Sequence, residues 1–411
     1  MRDKKTLGIL VLLLFLTNIF SIKGYDSDLY RNSTKIVLCI LILYTFLHRN
    51  KLKHITIRFK KFVFGLIMIP FLGFIPAYIL HNQGILPSLL GAHINIGYFF
   101  FFFLFLIKAE EQQIIRIFCL LGICWCGIEL IQQFTYPTYW FATRGDTFEH
   151  SIEIRNGIYR YNVLGREFGL ILLFYCFERF MHEKSRKYLL GILIALVGIY
   201  LLATRQIMAM SVVCLFAGLF MMKKISMGSF MLIAIVAVII YANAKALFGD
   251  FIEMTESVDK DYIRFLAYEF YGITYNKGNI LAFLLGNGSP YAPSSYYQEI
   301  DNLEQSFGLY RADIGIVGMY STFGIIYVIM ILWFFIYVFR HRKFIDTYLL
   351  MYVLFMAGTS IMLHNFAYSL SNVITGCFIF YLIEINITKN KRRLQNEPVY
   401  EIQHRNSGIQ S

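Results

Sequence analysis

The chain has 411 residues, of which 57% are hydrophobic, 18% aromatic and only 16% charged, a balance that excludes an ordinary soluble domain. A net charge of +12 would suit a nucleic-acid partner. The basic residues instead collect in short clusters between apolar runs, and there is no zinc-finger or RNP pattern, so nucleic acid is excluded as a partner.

A hydrocarbon core about 30 Å thick needs roughly 20 apolar residues in a helix. By that ruler the first half carries spans at 6–22, 33–47, 62–80, 91–107, 114–134 and 162–181. The second half carries 188–204, 206–222, 228–247, 312–339, 345–363 and 367–385. The reading is an all-α, polytopic integral membrane protein of about twelve transmembrane helices over 1–388. The second span is short and the tenth long, which admits tilt or a re-entrant end. The first follows a basic start (Arg2, Lys4, Lys5) without a small-residue cleavage site, and so reads as a retained anchor.

Orientation follows from lysine and arginine. Arg49, Lys51, Lys53, Arg58, Lys60 and Lys61 form the densest cluster, and others lie at 184–187, 223–224, 340–343 and 389–393. They fall at every second boundary. With both termini in the cytoplasm, about 25 of the 38 Lys and Arg residues lie inside. The expected location is the bacterial inner membrane. The polar tail 389–411 is cytoplasmic and reads as disordered. No repeat relates the two halves, which counts against a carrier built from two similar bundles.

All seven cysteines lie inside apolar runs, and Cys124 and Cys126 have neither redox nor zinc spacing, so packing is their role. Two external segments stand out. The first, 135–161, is rich in aromatic residues and arginine. The second, 248–311, is the one large external loop, between helices nine and ten. It holds the acids Asp250, Glu253, Glu256, Asp259, Asp261, Glu299, Asp301 and Glu304. Within it, 257–272 reads as an interfacial helix with Tyr262, Phe265, Leu266 and Phe270 as its apolar stripe. The run from Gly286 to Pro290 reads as a turn. It lacks the Lys-Ser/Thr of a phosphate loop.

The side that should be poor in positive charge carries Arg144, Arg155, Arg160, Arg166, Arg205, Arg264 and Arg311. Arginine is costly there, so the group points to an anionic ligand, a lipid-linked pyrophosphate foremost. A helix starting near Asn156 places Arg166 and Glu167 about two turns down, at membrane depth. The structural alternative there is an ion pair with Glu167 or Glu129. Thr204-Arg205 is the tip of a hairpin with almost no loop. Arg205 suits bidentate phosphate binding, a lipid-headgroup anchor being the alternative. Arg264 either binds the ligand or pairs with Asp261 or Glu269. Arg311 and Asp313 open a span that carries Gly315, Gly318 and Gly324. Asp313 there is either a general base or a carboxylate favoured by the helix dipole. His81, His93, His150 and His364 reach the external side, but none has metal-ligand spacing. No metal and no cofactor is therefore expected.

The order of these elements resembles the bacterial O-antigen ligase and polymerase superfamily, and within it the Wzy-type polysaccharide polymerases. The likeness rests on the arginines before span six with Asn162, on Thr204-Arg205, on Arg264, on Leu284-Leu285-Gly286-Asn287-Gly288 and on Asp313 with the glycines after it. It covers about 155–324. It implies polymerisation of undecaprenyl-pyrophosphate-linked oligosaccharide repeat units at the periplasmic face, for O-antigen, capsule or exopolysaccharide. Undecaprenyl pyrophosphate is the leaving group, and a flippase and a chain-length regulator are expected in the same pathway. Carried over, Arg205 holds the pyrophosphate. One of Arg155, Arg160 and Arg166 assists, and Arg264 and Arg311 complete the binding set. Ligases of this superfamily carry a histidine near the end of the large loop, and 301–313 has none. The proton acceptor then falls to Glu304 or Asp313. Transfer to lipid A core by a ligase, and a carrier of lipid-linked glycan, are the rival functions.

Overall fold

Backbone N–H and C=O groups cannot be left unmet in hydrocarbon, which restricts apolar runs of this length to helices. The computed structural model describes residues 2–17, 19–20, 27–138, 140–141, 153–155, 157–161, 163–222, 259–276, 278–367 and 369–396. Among them the chain is almost wholly helical. The first half holds α1 (Arg2–Thr17), α2 (Ser27–Leu47), α3 (Arg49–Lys53), α4 (Lys60–Leu72), α5 (Phe74–His81), α6 (Ile85–Gly91), α7 (His93–Ile96), α8 (Phe99–Leu106) and α9 (Glu111–Thr135). After the short strands β1 (Glu153–Arg155) and β2 (Ile158–Arg160) come α10 (Arg166–Glu183), α11 (Arg186–Leu201) and α12 (Arg205–Met222). Then follow α13 (Asp259–Glu269), α14 (Ile280–Leu285), α15 (Ser295–Phe307), α16 (Gly315–Arg340), α17 (Thr347–Thr359) and α18 (Leu370–Asn396).

Five stretches are long and apolar enough to cross a membrane: Lys60–His81, Glu111–Thr135, Arg205–Met222, Arg311–Arg340 and Leu370–Arg392. A sixth is added if α6 and α7–α8, bent by 54° at Ala92, make one span. This is a helical membrane protein. The expected runs at 6–22, 33–47, 162–181, 188–204 and 345–363 are helical too, but as shorter or more charged helices than that ruler requires. The run at 228–247, Arg144, His150, Asn162 and the tail beyond 396 lie outside the described residues.

Lipid tails are as apolar as leucine, so close packing rather than water exclusion must hold such helices together. Aromatic rings supply much of it. Phe62 of α4 stacks on Phe334 of α16 at 5.0 Å, and Phe334 meets Phe380 of α18 at 4.9 Å. Trp125 of α9 is fully buried against Gly169 and Gly198, where any β-carbon would strike its ring.

The basic clusters gather at one end of the bundle, where carboxylates satisfy the free N–H groups at helix starts. Glu384 accepts from the N–H groups of Arg58 and Phe59 ahead of α4, at 3.0 and 3.1 Å, and from the Arg58 guanidinium at 2.8 Å. Glu178 does the same for Thr347 and Tyr348 at the start of α17, at 3.0 and 3.2 Å.

The opposite end carries a layer made of α13, a π-helical turn Phe270–Thr274, α14, α15 and a 3-10 turn Arg311–Ile314. Its own small core comprises Ala267, Tyr271, Tyr275, Tyr296, Ile300 and Ile314. The layer is keyed into the bundle through its backbone. The N–H groups of Asn287 and Gly288 donate to the carbonyls of Ser321 and Thr322, each at 2.9 Å. Those carbonyls accept bonds from outside because α16 is broken at Gly324 (φ 79°, ψ 174°). Gly286, facing the break at φ 76°, touches the backbone of Thr322 and Phe323 with no room for a β-carbon. The glycine-rich run is therefore not a surface turn but an inserted one.

Two expectations are corrected. Helix α10 starts at Arg166, not near Asn156, because β1 and β2 form an antiparallel hairpin pairing Arg155 with Ile158. Asn156-Gly157 is the strongest short hairpin signal in a sequence, and it outweighs helical periodicity here. Arg166 thus sits in the first turn, not two turns down. The inward residues are Ala267 of α13 and Tyr271 of the π-helical turn after it, while Phe265 is 72% exposed. The expected stripe residues Phe265 and Leu266 face outward.

Gly324→Val should cost roughly 3 kcal/mol or more, since only glycine occupies this backbone region and the β-carbon strikes backbone. Size exclusion in detergent should show loss of the monodisperse peak. Gly127→Ala, where the β-carbon meets open space, should elute as wild type.

Candidate functional site

Of the expected arginines, Arg160 reaches the tip of the α11–α12 hairpin that carries Arg205. The α11–α12 hairpin turns through Ala203 at φ 47°, so Thr204 and Arg205 stand at its tip. Nη2 of Arg160, the last residue of β2, donates to Thr204 Oγ1 at 3.4 Å. The Arg160 guanidinium thereby reaches the residue that precedes Arg205. Arg205 occupies the first turn of α12, which contains no acidic residue. The positive helix terminus disfavours a cation there and favours an anion. Gln206 fixes the tip by donating to the Thr359 carbonyl at 3.3 Å.

Arg166 has a different environment. Its Nε lies 3.1 Å from Glu167 Oε1, which also accepts from Asn372 at 3.0 Å. The pair lines a cavity with Tyr352, Asn365 and Asn372. Of the two readings of Arg166, the ion pair with Glu167 is the one formed. Arg155 ends β1, its backbone paired with Ile158. Arg264 is exposed on α13, one turn before Tyr268. The Tyr268 hydroxyl donates to the Ile361 carbonyl at 2.6 Å, which lays α13 beside the end of α17.

Arg311, Asp313 and Glu304 lie together in the layer above. Arg311 Nε is 3.8 Å from Glu304 Oε1, and the guanidinium sits 5.9 Å from the centre of the Tyr271 ring. Burial pushes the Glu304 carboxyl above its ordinary range, and Arg311 pulls it part of the way back. Asp313 is exposed. The turn runs straight into Gly315, which abuts Ser360, and the Ile316 N–H donates to the Ser360 carbonyl at 2.7 Å. Ser360 follows Thr359, the anchor of Gln206, so one short stretch connects the acid layer to the arginine tip.

His81 is the residue that sequence reasoning left without a role. Its side chain is fully buried, stacked between Tyr275 at 5.4 Å and Tyr296 at 4.2 Å. Nδ1 lies 3.1 Å from Glu299 and Nε2 3.2 Å from Asn287 Oδ1. The Asn287 amide donates to Asn276 and to the Ser321 carbonyl, at 2.8 and 3.0 Å, so its oxygen is left to accept and Nε2 must donate. The imidazole thus joins α15 to the inserted glycine run. Tyr296 is buried in this stack, while its neighbour Tyr297 is 41% exposed.

No protein-family model matches the chain, and no curated protein matches it.

Because burial raises the Glu304 carboxyl, its ionised form weakens the fold as pH rises through its titration range, and Arg311 offsets that. Arg311→Met should therefore lower stability by roughly 2–3 kcal/mol near neutral pH. The loss should shrink towards acid pH, where Glu304 takes up its proton and no longer needs the guanidinium. Melting temperatures in detergent at both pH values check this; an equal loss at both would mean that Arg311 acts by packing alone.

Proposed function

We propose that this chain is a glycosyltransferase of the bacterial inner membrane that polymerises undecaprenyl-pyrophosphate-linked repeat units at the periplasmic face. The observation that carries the reading is the reach of Arg160 to Thr204, the residue before Arg205, at a helix start that favours an anion. In this reading the pyrophosphate of the donor lies on the two guanidinium groups, and its lipid tail lies between apolar helices. A hydroxyl of the incoming repeat attacks the donor's anomeric carbon. The carbon–oxygen bond to pyrophosphate breaks, its electrons leave with the phosphate, and the arginines stabilise the charge as it develops. The hydroxyl proton passes to a carboxylate of the layer above. Glu304 suits this better than Asp313, since its burial makes it the stronger base.

The reading includes about twelve spans, both termini in the cytoplasm and 248–311 as the periplasmic loop. Alkaline phosphatase fused at Asn302 should be active and fused after Thr388 inactive. The reverse pattern would invert the topology and move the arginine tip to the wrong side.

Purified protein in nanodiscs, given authentic lipid-linked repeat units, should produce a polymer ladder that survives EDTA. Arg205→Ala should lower the rate about 100-fold or more, and Arg166→Ala, whose side chain is held by Glu167, should lower it less. Transfer to lipid A core instead of a ladder would make the protein a ligase. Passage of labelled repeats across proteoliposomes, without a ladder, would make it a carrier.

A further inference from the structure

Tyr159 and Val163 lie along the last three turns of α9 and are laced to it. Gln133 donates to the Tyr159 carbonyl at 2.6 Å and accepts its N–H at 3.0 Å. Glu129 Oε1 accepts the Val163 N–H at 3.1 Å, and Trp125 Nε1 donates to the Val163 carbonyl at 3.2 Å. Gln132 Oε1 accepts the Phe141 N–H at 3.1 Å. These bonds use one polar atom each of Glu129 and Gln132. The other atom of each, Glu129 Oε2 and Gln132 Nε2, is buried and has no hydrogen-bond partner, and so is the Tyr161 hydroxyl. The three residues are 0%, 0% and 1% exposed.

Buried polar groups are nearly always paired, because an unmet one destabilises the fold. Three on neighbouring turns and the adjoining strand are therefore retained for something other than stability. A carboxylate at membrane depth is in itself a functional indication. The position fits, since Tyr161 directly follows Arg160, whose guanidinium reaches Thr204.

We propose that Glu129, Gln132 and Tyr161 form the subsite for the sugar that carries the pyrophosphate. One hydroxyl of that sugar bonds Glu129 Oε2 and Gln132 Nε2 or Tyr161. A hydroxyl is the smallest group that both donates and accepts, and these three atoms call for both. The subsite rests on the function proposed above, and places the donor sugar beside the phosphate ligand Arg160.

The test measures binding, in nanodiscs, of undecaprenyl pyrophosphate alone and of undecaprenyl pyrophosphate carrying the repeat unit. Tyr161→Phe removes a hydroxyl that has no protein partner, so its melting temperature should stay level or rise. It should weaken binding of the sugar-bearing lipid about tenfold and leave the bare lipid unaffected. Glu129→Gln, which keeps an oxygen for the Val163 N–H, should show the same selectivity. If both variants bind both lipids as wild type does, water fills the site and the proposal falls. Equal weakening for both lipids would mean contact with phosphate, and the sugar assignment falls. If wild-type protein binds neither lipid, the proposed function fails, and this subsite with it.

Discussion

The outer layer is held in register by two backbone hydrogen bonds, from Asn287 and Gly288 to the carbonyls of Ser321 and Thr322. A helix normally spends its carbonyls on its own N–H groups. Breaking α16 at Gly324 releases them, and Gly286 lets the incoming strand approach backbone to backbone. The position of α15 follows from this junction. Asn287, once fixed, orients His81. His81 holds Glu299 of α15, and α15 carries Glu304 to Arg311. The broken helix is thus the means by which a loop distant in sequence acquires a fixed place over the bundle.

The two ends of the bundle use charge in opposite ways. At the basic end, Glu384 and Glu178 meet the N–H groups ahead of and at helix starts, so charge there serves the fold. At the other end the first residues of α10 and α12 are Arg166 and Arg205, the wrong sign for those positions. Arg166 is compensated by Glu167. The start of α12 contains no acid. The terminus of α12 disfavours a cation there, and under the proposed function an anionic ligand would offset that.

Much of this was legible from residue pattern. Apolar length marks the helices of the bundle, and Thr204-Arg205 between two apolar runs marks the tip. Arg311 and Asp313 before three glycines mark the junction between layer and bundle. The start of α10 was misplaced because apolar content was weighed above the Asn156-Gly157 hairpin signal. The His81–Glu299 pair could not have been read at all. Its members stand 218 positions apart, and only the insertion at Gly286 brings them together. The same holds for the turn after α13: Tyr271 turns inward against the edge of the Tyr275 ring, a fact of tertiary packing invisible to periodicity.

The structure also separates the three arginines near α10, which the sequence leaves equivalent. Arg166 is engaged by a carboxylate, so a phosphate would have to compete with Glu167 for it. Arg155 ends the outer strand of a two-stranded hairpin. Arg160 reaches a neutral hydroxyl next to Arg205, and the chain on either side of it is tied to α9 by four hydrogen bonds with Gln133, Glu129 and Trp125. That lacing holds the Arg160 backbone before any ligand arrives. A cation held in advance loses less freedom on binding than one on a loose loop, and it needs no reorganisation when charge develops on the leaving group. The physical case for Arg160 as the second phosphate ligand therefore lies as much in the strand behind it as in its own charge.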